Sequence, residues 1–250
     1  PSEAELQSVT HHFISTHSIH QPISAGQFPA IAWPVIQSIL EKKEFVIAVG
    51  GSGLFLKVLL DGIDPLPSDP NVRAEWEQNW KDRGIEYLQN ALKSADPAYF
   101  NQVDIDNPHR LLRALEVITL TGKKFSELRT QNKQTLPFEV RYEYLSPDKE
   151  ILHQRIDERV ECMMDMGLLE EAEKLTPYRH LQPLNTVGYK EIFRHFEGDC
   201  SKEEAIVEIK KNTRNYAKRQ MTWYRNKSHV RQIDVQKGDV SAEIISLLSN

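Results

Sequence analysis

Residues 45–60 have the sequence FVIAVGGSGLFLKVLL, and this stretch decides the fold. The apolar run 45–49 is typical of a strand buried on both faces, and the apolar residues from Leu54 onward are typical of a helix. Glycines at such a junction let backbone amides approach an anion, and the helix N-terminus adds its dipole. We therefore predict a β–loop–α unit of a parallel α/β core, with residues 50–53 as either an anion site or a tight turn. The loop is not a Walker A sequence, because no Ser or Thr follows Lys57.

The segment that follows is rich in proline and then in helical patterns. Prolines at 65, 67 and 70 make a rigid connection, and helical patterns then cover residues 71–81, 84–93 and 108–121. Asn107 and Pro108 start the last of these helices, and Gly122 ends it. We predict that residues 65–129 form a helical insertion subdomain and that residues 1–64 and 130–250 form the α/β core. The remaining predicted elements are a helix at 30–40 with Pro34 near its first turn, strands at 140–145 and 230–235, and helices at about 147–166 (capped by Ser146-Pro147), 168–175, 188–196 and 201–225.

Composition narrows the class of protein. The 250 residues are 40% hydrophobic and 27% charged, which is typical of a globular protein with one large domain or two coupled domains. No apolar run approaches the roughly 20 residues that would span a membrane. Without a signal peptide we expect a cytoplasmic protein, and we expect a monomer. Two distant cysteines and the histidines at 11, 12, 17 and 20 match no metal-ligand pattern, so we predict no metal site from them.

Positive charge is concentrated near the C-terminus. The net charge is −5, yet residues 210–231 contain eight Lys and Arg and no Asp or Glu. On a helix, five of them (Lys210, Lys211, Arg214, Lys218 and Arg225) fall within an arc of about 100°, with apolar and aromatic residues on the other side. This cationic stripe fits a phosphate backbone, and a solvated helix face is the alternative interpretation.

Three further groups could contact phosphates or bases. His109, Arg110 and Arg113 cluster at a predicted helix start, and Arg155 and Arg159 form an i, i+4 pair. Either group could instead form ordinary salt bridges. Residues 185–190 (NTVGYK) place a Tyr beside a Lys before a helix, which suits base stacking if the ring is exposed and a packed helix start if it is not.

Six segments, in order, resemble one family, the tRNA dimethylallyltransferases (tRNA isopentenyltransferases). They span nearly the whole chain and are 10–14 (THHFI), 49–55 (VGGSGLF), 64–67 (DPLP), 107–117 (NPHRLLRALEV), 185–191 (NTVGYKE) and 218–225 (KRQMTWYR). The resemblance implies an α/β fold with a P-loop-type parallel sheet core and a helical insertion. It also implies transfer of a dimethylallyl group from dimethylallyl diphosphate to the N6 amine of the adenosine 3′ of the anticodon, with Mg²⁺ as cofactor and the tRNA anticodon stem-loop as partner. The target base would be flipped out of its loop to meet the donor.

The resemblance also assigns roles to residues. Ser52 stands where the family usually has Thr and would act near the adenosine, and Arg159 matches the arginine that holds the donor diphosphate. The residues that match tRNA-contacting segments are Ser52, Arg73, His109, Arg110, Arg113, Asn185, Gly188, Tyr189, Lys190, Lys218, Arg219, Gln220, Trp223 and Arg225. Asn185 and Lys190 replace residues that are commonly Arg in the family, a modest change in phosphate contacts.

Two family features are absent from this sequence. The family opens with a GPTxSGKS/T-type phosphate loop, followed by an Asp that serves as the general base, whereas this sequence starts at Pro1 downstream of both. We expect an N-terminal segment to be missing, and we expect this stretch alone to be inactive although the parent protein is an enzyme. The alternatives are a P-loop nucleotide or small-molecule kinase, which would consume ATP, a non-catalytic tRNA-binding fragment, and a free-adenylate prenyltransferase, which would not retain tRNA affinity.

Overall fold

The computed structural model describes residues 2–129, 135–225, 227, 230–236 and 239–248. Two compact units make up the chain: Pro1–Leu59 with Pro137–Asn250, and Leu60–Leu136. The described residues contain short 3₁₀ turns at Thr176–Tyr178 and Gln182–Leu184. Their helices and strands are, in chain order, α1 Glu3–Ser8, α2 Phe28–Leu40, α3 Gly53–Asp61, α4 Pro70–Arg83, α5 Ile85–Ala95, α6 Pro97–Phe100, α7 Pro108–Thr121, α8 Phe125–Leu128, β1 Tyr142–Ser146, α9 Lys149–Asp165, α10 Leu168–Leu175, α11 Tyr189–Phe196, α12 Lys202–Arg225, β2 Val230–Asp234 and α13 Val240–Leu248.

Local capping signals set the bounds of several helices. The Asn107 side chain accepts a hydrogen bond from the Arg110 N–H, and Gly122 ends α7 in the left-handed conformation, so the predicted bounds 108–121 are confirmed. Helix α9 starts after Asp148, whose carboxylate accepts from the Glu150 N–H, so the prediction that Ser146-Pro147 caps it was wrong. Pro34 lies inside α2 rather than in its first turn, because the helix already begins at Phe28.

The unit Leu60–Leu136 is built from α4 to α8 around one apolar core. The i, i+4 pair Leu88 and Leu92 of α5 is fully buried, and it packs with the inner face of α7. The buried residues of this core are Leu88, Leu92, Tyr99, Leu111, Leu112, Ala114, Leu115, Val117 and Phe125.

One buried carboxylate ties the proline-rich connection of this unit to α7. Glu116 is only 2% exposed, and its Oε1 accepts hydrogen bonds from the Ser68 hydroxyl (2.7 Å) and the Asp69 N–H (3.0 Å). Its Oε2 accepts from Nη1 of Arg113 at 3.0 Å, and Nη1 of Arg73 lies 4.0 Å away. Burial raises the pKa of Glu116, but these donors outweigh that effect, so the pKa lies below its usual range.

The sheet of the described residues has two parallel strands. Strand β1 pairs with β2 in a register that joins Tyr142 to Val230 and Ser146 to Asp234. Alternation along β1 directs Tyr144 toward α12, where its ring stacks on Tyr224 with centroids 5.3 Å apart. Because parallel strands need a crossover connection, the helices α9 to α12 lie between them in sequence.

The prediction of a buried strand at 45–49 was wrong. Residues 45–50 form no helix or strand, and the side chains of Phe45, Ile47 and Val49 are 47%, 62% and 91% exposed. A strand exists only when its N–H and C=O groups bond to a neighbouring strand, and the two strands of the described residues pair with each other. The predicted helix that follows does form, as α3.

We expect Glu116→Ala to lower the free energy of unfolding by about 3–5 kcal/mol, because Arg113, Ser68 and the Asp69 N–H would lose a buried charged partner. Glu127→Ala is the control, since this exposed residue makes only a 3.8 Å ion pair with Lys124. Urea denaturation measures both variants. Equal losses in the two would contradict the role given to Glu116.

Candidate functional site

The glycine loop, residues 50–53, lies against the C-terminal half of α12. The Gln220 side-chain amide donates a hydrogen bond to the Gly51 carbonyl oxygen at 3.0 Å, although the two residues are 169 positions apart. A Cβ placed on Gly51 would lie 2.1 Å from Nε2 of Gln220. The close approach therefore requires glycine at position 51.

A second contact lies on the other side of Ser52. A Cβ placed on Gly53 would lie 2.2 Å from Nε1 of Trp223 and 2.6 Å from its Cε2. The Trp223 Nε1 atom is buried without a hydrogen-bond partner in the described part of the chain. An indole is rigid, so only glycine at position 53 lets the ring occupy this place.

Ser52 itself is exposed between these two contacts. Its carbonyl oxygen accepts from the N–H groups of Phe55 (3.1 Å) and Leu56 (3.4 Å), which makes it the residue from which α3 starts. The Phe55 ring packs edge-on against Phe28 of α2, and Phe28 packs in the same way against Phe13, each at 5.4 Å between centroids. This aromatic row supports α3 and leaves the Ser52 hydroxyl accessible.

Helix α9 presents Arg159 on a face of its own. Its inner face buries Ile156 and Val160. Arg155 and Arg159 are exposed, and no charged partner of either is present among the described residues. They lie roughly 160° around the helix from Asp157 and Glu161, two of its acidic residues, since residues two apart are separated by about 200°, whereas the exposed Glu158 lies about 60° from Arg155.

Those acidic residues correct the predicted cationic stripe. Glu161 accepts from the Lys210 ammonium, and Asp157 accepts from the Arg214 guanidinium through both carboxylate oxygens. Two of the five members of the predicted stripe, Lys210 and Arg214, therefore pack against α9, because α9 supplies negative charge at the matching positions. The other members, Lys211, Lys218 and Arg225, are exposed, and they recur every seven residues on one side of α12, about 10.5 Å apart.

The remaining predicted residues of α12 divide in two. Arg219 is exposed, with its guanidinium 5.5 Å from the Tyr216 ring centroid. Gln220 and Trp223 instead face the glycine loop. The predicted stripe is thus reduced to a narrower cationic face made of Lys211, Lys218 and Arg225, and the exposed Arg219 lies about 100° around the helix from Lys218.

The segment 185–190 is a packed helix start. Glu191 is buried, and it accepts from the Gly188 N–H at 2.8 Å and from the Asn212 amide of α12 at 2.7 Å. Gly188 has φ of 105°, which favours glycine. The Tyr189 hydroxyl donates to Glu171 at 2.5 Å, and burial together with this carboxylate raises the pKa of Tyr189 to about 12.

Tyr189 therefore packs rather than presenting a free ring, and its ring stacks near Phe193 at 6.3 Å between centroids. Asn185 and Lys190 are exposed on the same turn, and the Lys190 ammonium lies 3.7 Å from the Glu191 carboxylate. The bond to Glu171 fixes the hydroxyl end of the ring, so a base could stack on Tyr189 only in this ring orientation.

The other predicted residues belong to the unit Leu60–Leu136. Arg113 donates to the carbonyl oxygens of Leu66 and Pro67, both at 2.9 Å, as well as to Glu116. Arg73 donates to Glu77 at 2.8 Å. His109 and Arg110 are exposed at the start of α7, and the His109 ring lies 6.2 Å from that of Trp80. Arg113 thus holds the chain connection, whereas His109 and Arg110 face solvent.

The described residues contain no all-protein cage for a metal ion. Across 2–129, 135–225 and the shorter described stretches beyond, no three His, Cys, Asp or Glu side chains come together as metal ligands. Magnesium prefers carboxylate and phosphate oxygens, and this part of the chain supplies no carboxylate cluster for it. In the same residues, no helix is both long and apolar enough to cross a membrane.

The fold and the glycine-loop site define a P-loop-like α/β protein with a helical unit. The family model described as IPP transferase matches residues 1–227. A tRNA dimethylallyltransferase from Christiangramia forsetii is 43% identical over 232 residues, which cover 92% of this chain and 77% of that protein. This chain belongs to the IPP transferase family.

Solved structures agree with this assignment. The full-length tRNA isopentenylpyrophosphate transferase from Bacillus halodurans has a TM-score of 0.68 and 31% identity, covering all of this chain and 79% of that one. A eukaryotic dimethylallyltransferase acting on tRNA shares the fold at a TM-score of 0.74 and 24% identity, covering 98% of this chain and 66% of that one. The predicted family and fold class are confirmed.

Sequence reasoning missed the partners of the glycine loop and of the basic helix. Asp157 and Glu161 were visible as acidic residues four apart on α9, matching the spacing of Lys210 and Arg214 on α12. That complementary spacing is the signal that could have paired the two helices. The contact of Gln220 and Trp223 with the glycine loop left no comparable signal in the sequence.

We expect Gly53→Ala to lower the free energy of unfolding by about 1–3 kcal/mol, because the new methyl group overlaps the Trp223 indole. In a Trp223→Ala background the same change should reverse sign and stabilise by up to about 1 kcal/mol, since Ala favours a helix over Gly. Thermal denaturation of the four proteins measures this. A loss of the same size in both backgrounds would contradict the overlap.

Proposed function

We propose that this protein transfers a dimethylallyl group from dimethylallyl diphosphate to the N6 amine of the adenosine 3′ of the anticodon in tRNA. The observation that carries the proposal is the 43% identity to a tRNA dimethylallyltransferase over 92% of the chain. The convergence of the glycine loop and α12 on one site supports it, because both segments belong to the motifs that resemble this family.

The chemistry is an alkyl transfer. The N6 nitrogen forms a bond to C1 of the dimethylallyl group, the bond from C1 to the diphosphate oxygen breaks, and N6 gives its proton to a general base, which the family resemblance assigns to an Asp that this sequence does not contain. Negative charge grows on the leaving diphosphate, so a fixed cation at that position lowers the barrier. We assign this task to Arg159, whose guanidinium is exposed and has no carboxylate partner among the described residues.

Ser52 acts at the adenosine. Its side chain is exposed at the N-terminus of α3, where N–H groups and the helix dipole favour an oxygen-rich or electron-rich ligand. A hydroxyl can donate to or accept from a nucleobase edge, and it preserves the role of the Thr more usual at this place.

The cationic face of α12 binds the tRNA backbone. Lys211, Lys218 and Arg225 repeat at a spacing that allows each to reach a different phosphate, and Arg219 lies next to them. The exposed residues Asn185 and Lys190 also contact tRNA, and His109 and Arg110 do so separately, from the unit Leu60–Leu136. Tyr189, Gly188, Arg73 and Arg113 support these surfaces through their internal contacts.

The substrates and setting follow from the same proposal. The donor is dimethylallyl diphosphate, and the protein works as a monomer in the cytoplasm, where tRNA is found. Mg²⁺ accompanies the diphosphate, and no step of the reaction described above is assigned to a metal held by this chain, because its described residues lack a ligand cluster.

We expect Lys218→Ala and Arg225→Ala each to weaken tRNA binding and to reduce the slope of log affinity against log salt by about 0.7–0.9. Lys210→Ala is the matched control on the same helix, because Glu161 already neutralises its charge. Filter binding at salt concentrations from about 50 to about 200 mM measures the affinities of all three variants. Equal slopes for Lys218→Ala and Lys210→Ala would contradict the phosphate contacts.

We expect Arg159→Ala to raise the donor KM and to lower kcat by on the order of 100-fold, since a positioned charge on the leaving group is lost. Arg179→Ala is the control, because the Arg179 guanidinium already pairs with the Glu197 carboxylate at 3.0 Å. Steady-state prenylation of tRNA by the full-length protein, with varied donor, gives both constants. Unchanged constants for Arg159→Ala would remove this residue from the diphosphate site.

A further inference from the structure

We propose that Gln220 and Trp223 are positioning residues that clamp the glycine loop from both sides of Ser52, rather than residues that contact tRNA. The expected kinetic effects rest on the proposed function, whereas the clamp itself rests on the contacts between α12 and the glycine loop. The proposal replaces the tRNA-contacting role that the family resemblance suggests for Gln220 and Trp223.

Gln220 has its donor committed to the loop. Its Nε2 donates to the Gly51 carbonyl at 3.0 Å, and the absence of a Cβ at Gly51 lets the amide approach this closely. The side chain is half-buried, in contrast to the exposed Lys218 and Arg219 that precede it. One N–H of the amide is held by the Gly51 carbonyl, so a base contact from this position would have to use the second N–H or Oε1 without moving the side chain.

The hydrogen-bonding atom of Trp223 is covered by the protein. Its Nε1 is buried, so the indole cannot donate to a base or phosphate from solvent. Its edge lies against Gly53, and the Lys227 ammonium lies 4.9 Å from the ring centroid over one face. A base stacking on that face would have to displace the Lys227 cation–π contact.

The clamp acts on the residue between its two points. Gly51 and Gly53 are the chain neighbours of Ser52, so fixing both leaves the Ser52 backbone little freedom. Glycines on their own would make this loop flexible, because they have the widest range of backbone conformations. Contacts from α12 remove that freedom and set the position of the Ser52 hydroxyl, where an error of about 1 Å is costly for catalysis.

Gln220→Met in the full-length protein tests the proposal, because methionine keeps the length of the side chain and removes the donor. We expect faster hydrogen exchange at the Phe55 and Leu56 amides, which bond to the Ser52 carbonyl. We expect kcat for tRNA prenylation to fall on the order of 10-fold or more, with the tRNA Kd within about twofold of the parent. Trp223→Phe should give the same pattern more weakly.

Asn90→Ala is the matched control, an exposed helical amide outside the proposed site, and it should change neither quantity. Lys218→Ala should give the opposite pattern, with a raised Kd for tRNA and an unchanged hydrogen-exchange rate at the Phe55 amide. Unchanged exchange in Gln220→Met, or a raised Kd with kcat intact, would overturn the clamp. If the parent protein does not prenylate tRNA, the proposed function fails, and the exchange measurement still decides whether the clamp exists.

Discussion

The close approach of α12 to the glycine loop is the constraint on which the rest of the site depends. Two backbone positions without a Cβ, Gly51 and Gly53, allow an amide and an indole from a distant helix to lie within contact of the main chain. The consequence is that the start of α3 is fixed by tertiary contacts as well as by its own hydrogen bonds. Ser52, the one residue of this loop that carries a functional group, is held at the point where both contacts meet.

Helix α12 serves several neighbours at once because different faces carry different chemistry. Ile209 belongs to the apolar core with Val160 and Ile192. Lys210 and Arg214 form ion pairs with Glu161 and Asp157 of α9. Internal pairing of these two cations matters for specificity, since it removes them from competition for solvent anions. What remains exposed is a narrow row of charge rather than a broad basic surface.

Local and long-range signals account for what the sequence could and could not predict. The bounds of α7 and α10 were predictable because a cap, a proline or a glycine lies within a few residues of each end. The apolar run 45–49 was misinterpreted because strand formation depends on a partner strand, which local composition does not specify. Ser52 and Arg159 lie in exposed places, and their roles stay predictions, whereas Tyr189 and Gln220 form contacts with residues 18 and 169 positions away that local sequence does not indicate.

Helix α12 is a single rod of 24 residues without an internal Gly or Pro. At about 1.5 Å per residue it extends roughly 36 Å, and its exposed cations and its two loop-facing side chains are attached to the same rigid axis. Their axial separations are therefore fixed by residue number alone. The helix acts as a molecular ruler: any polyanion seated along Lys211, Lys218 and Arg225 lies at a set distance from the glycine loop, with no hinge to absorb an error in length.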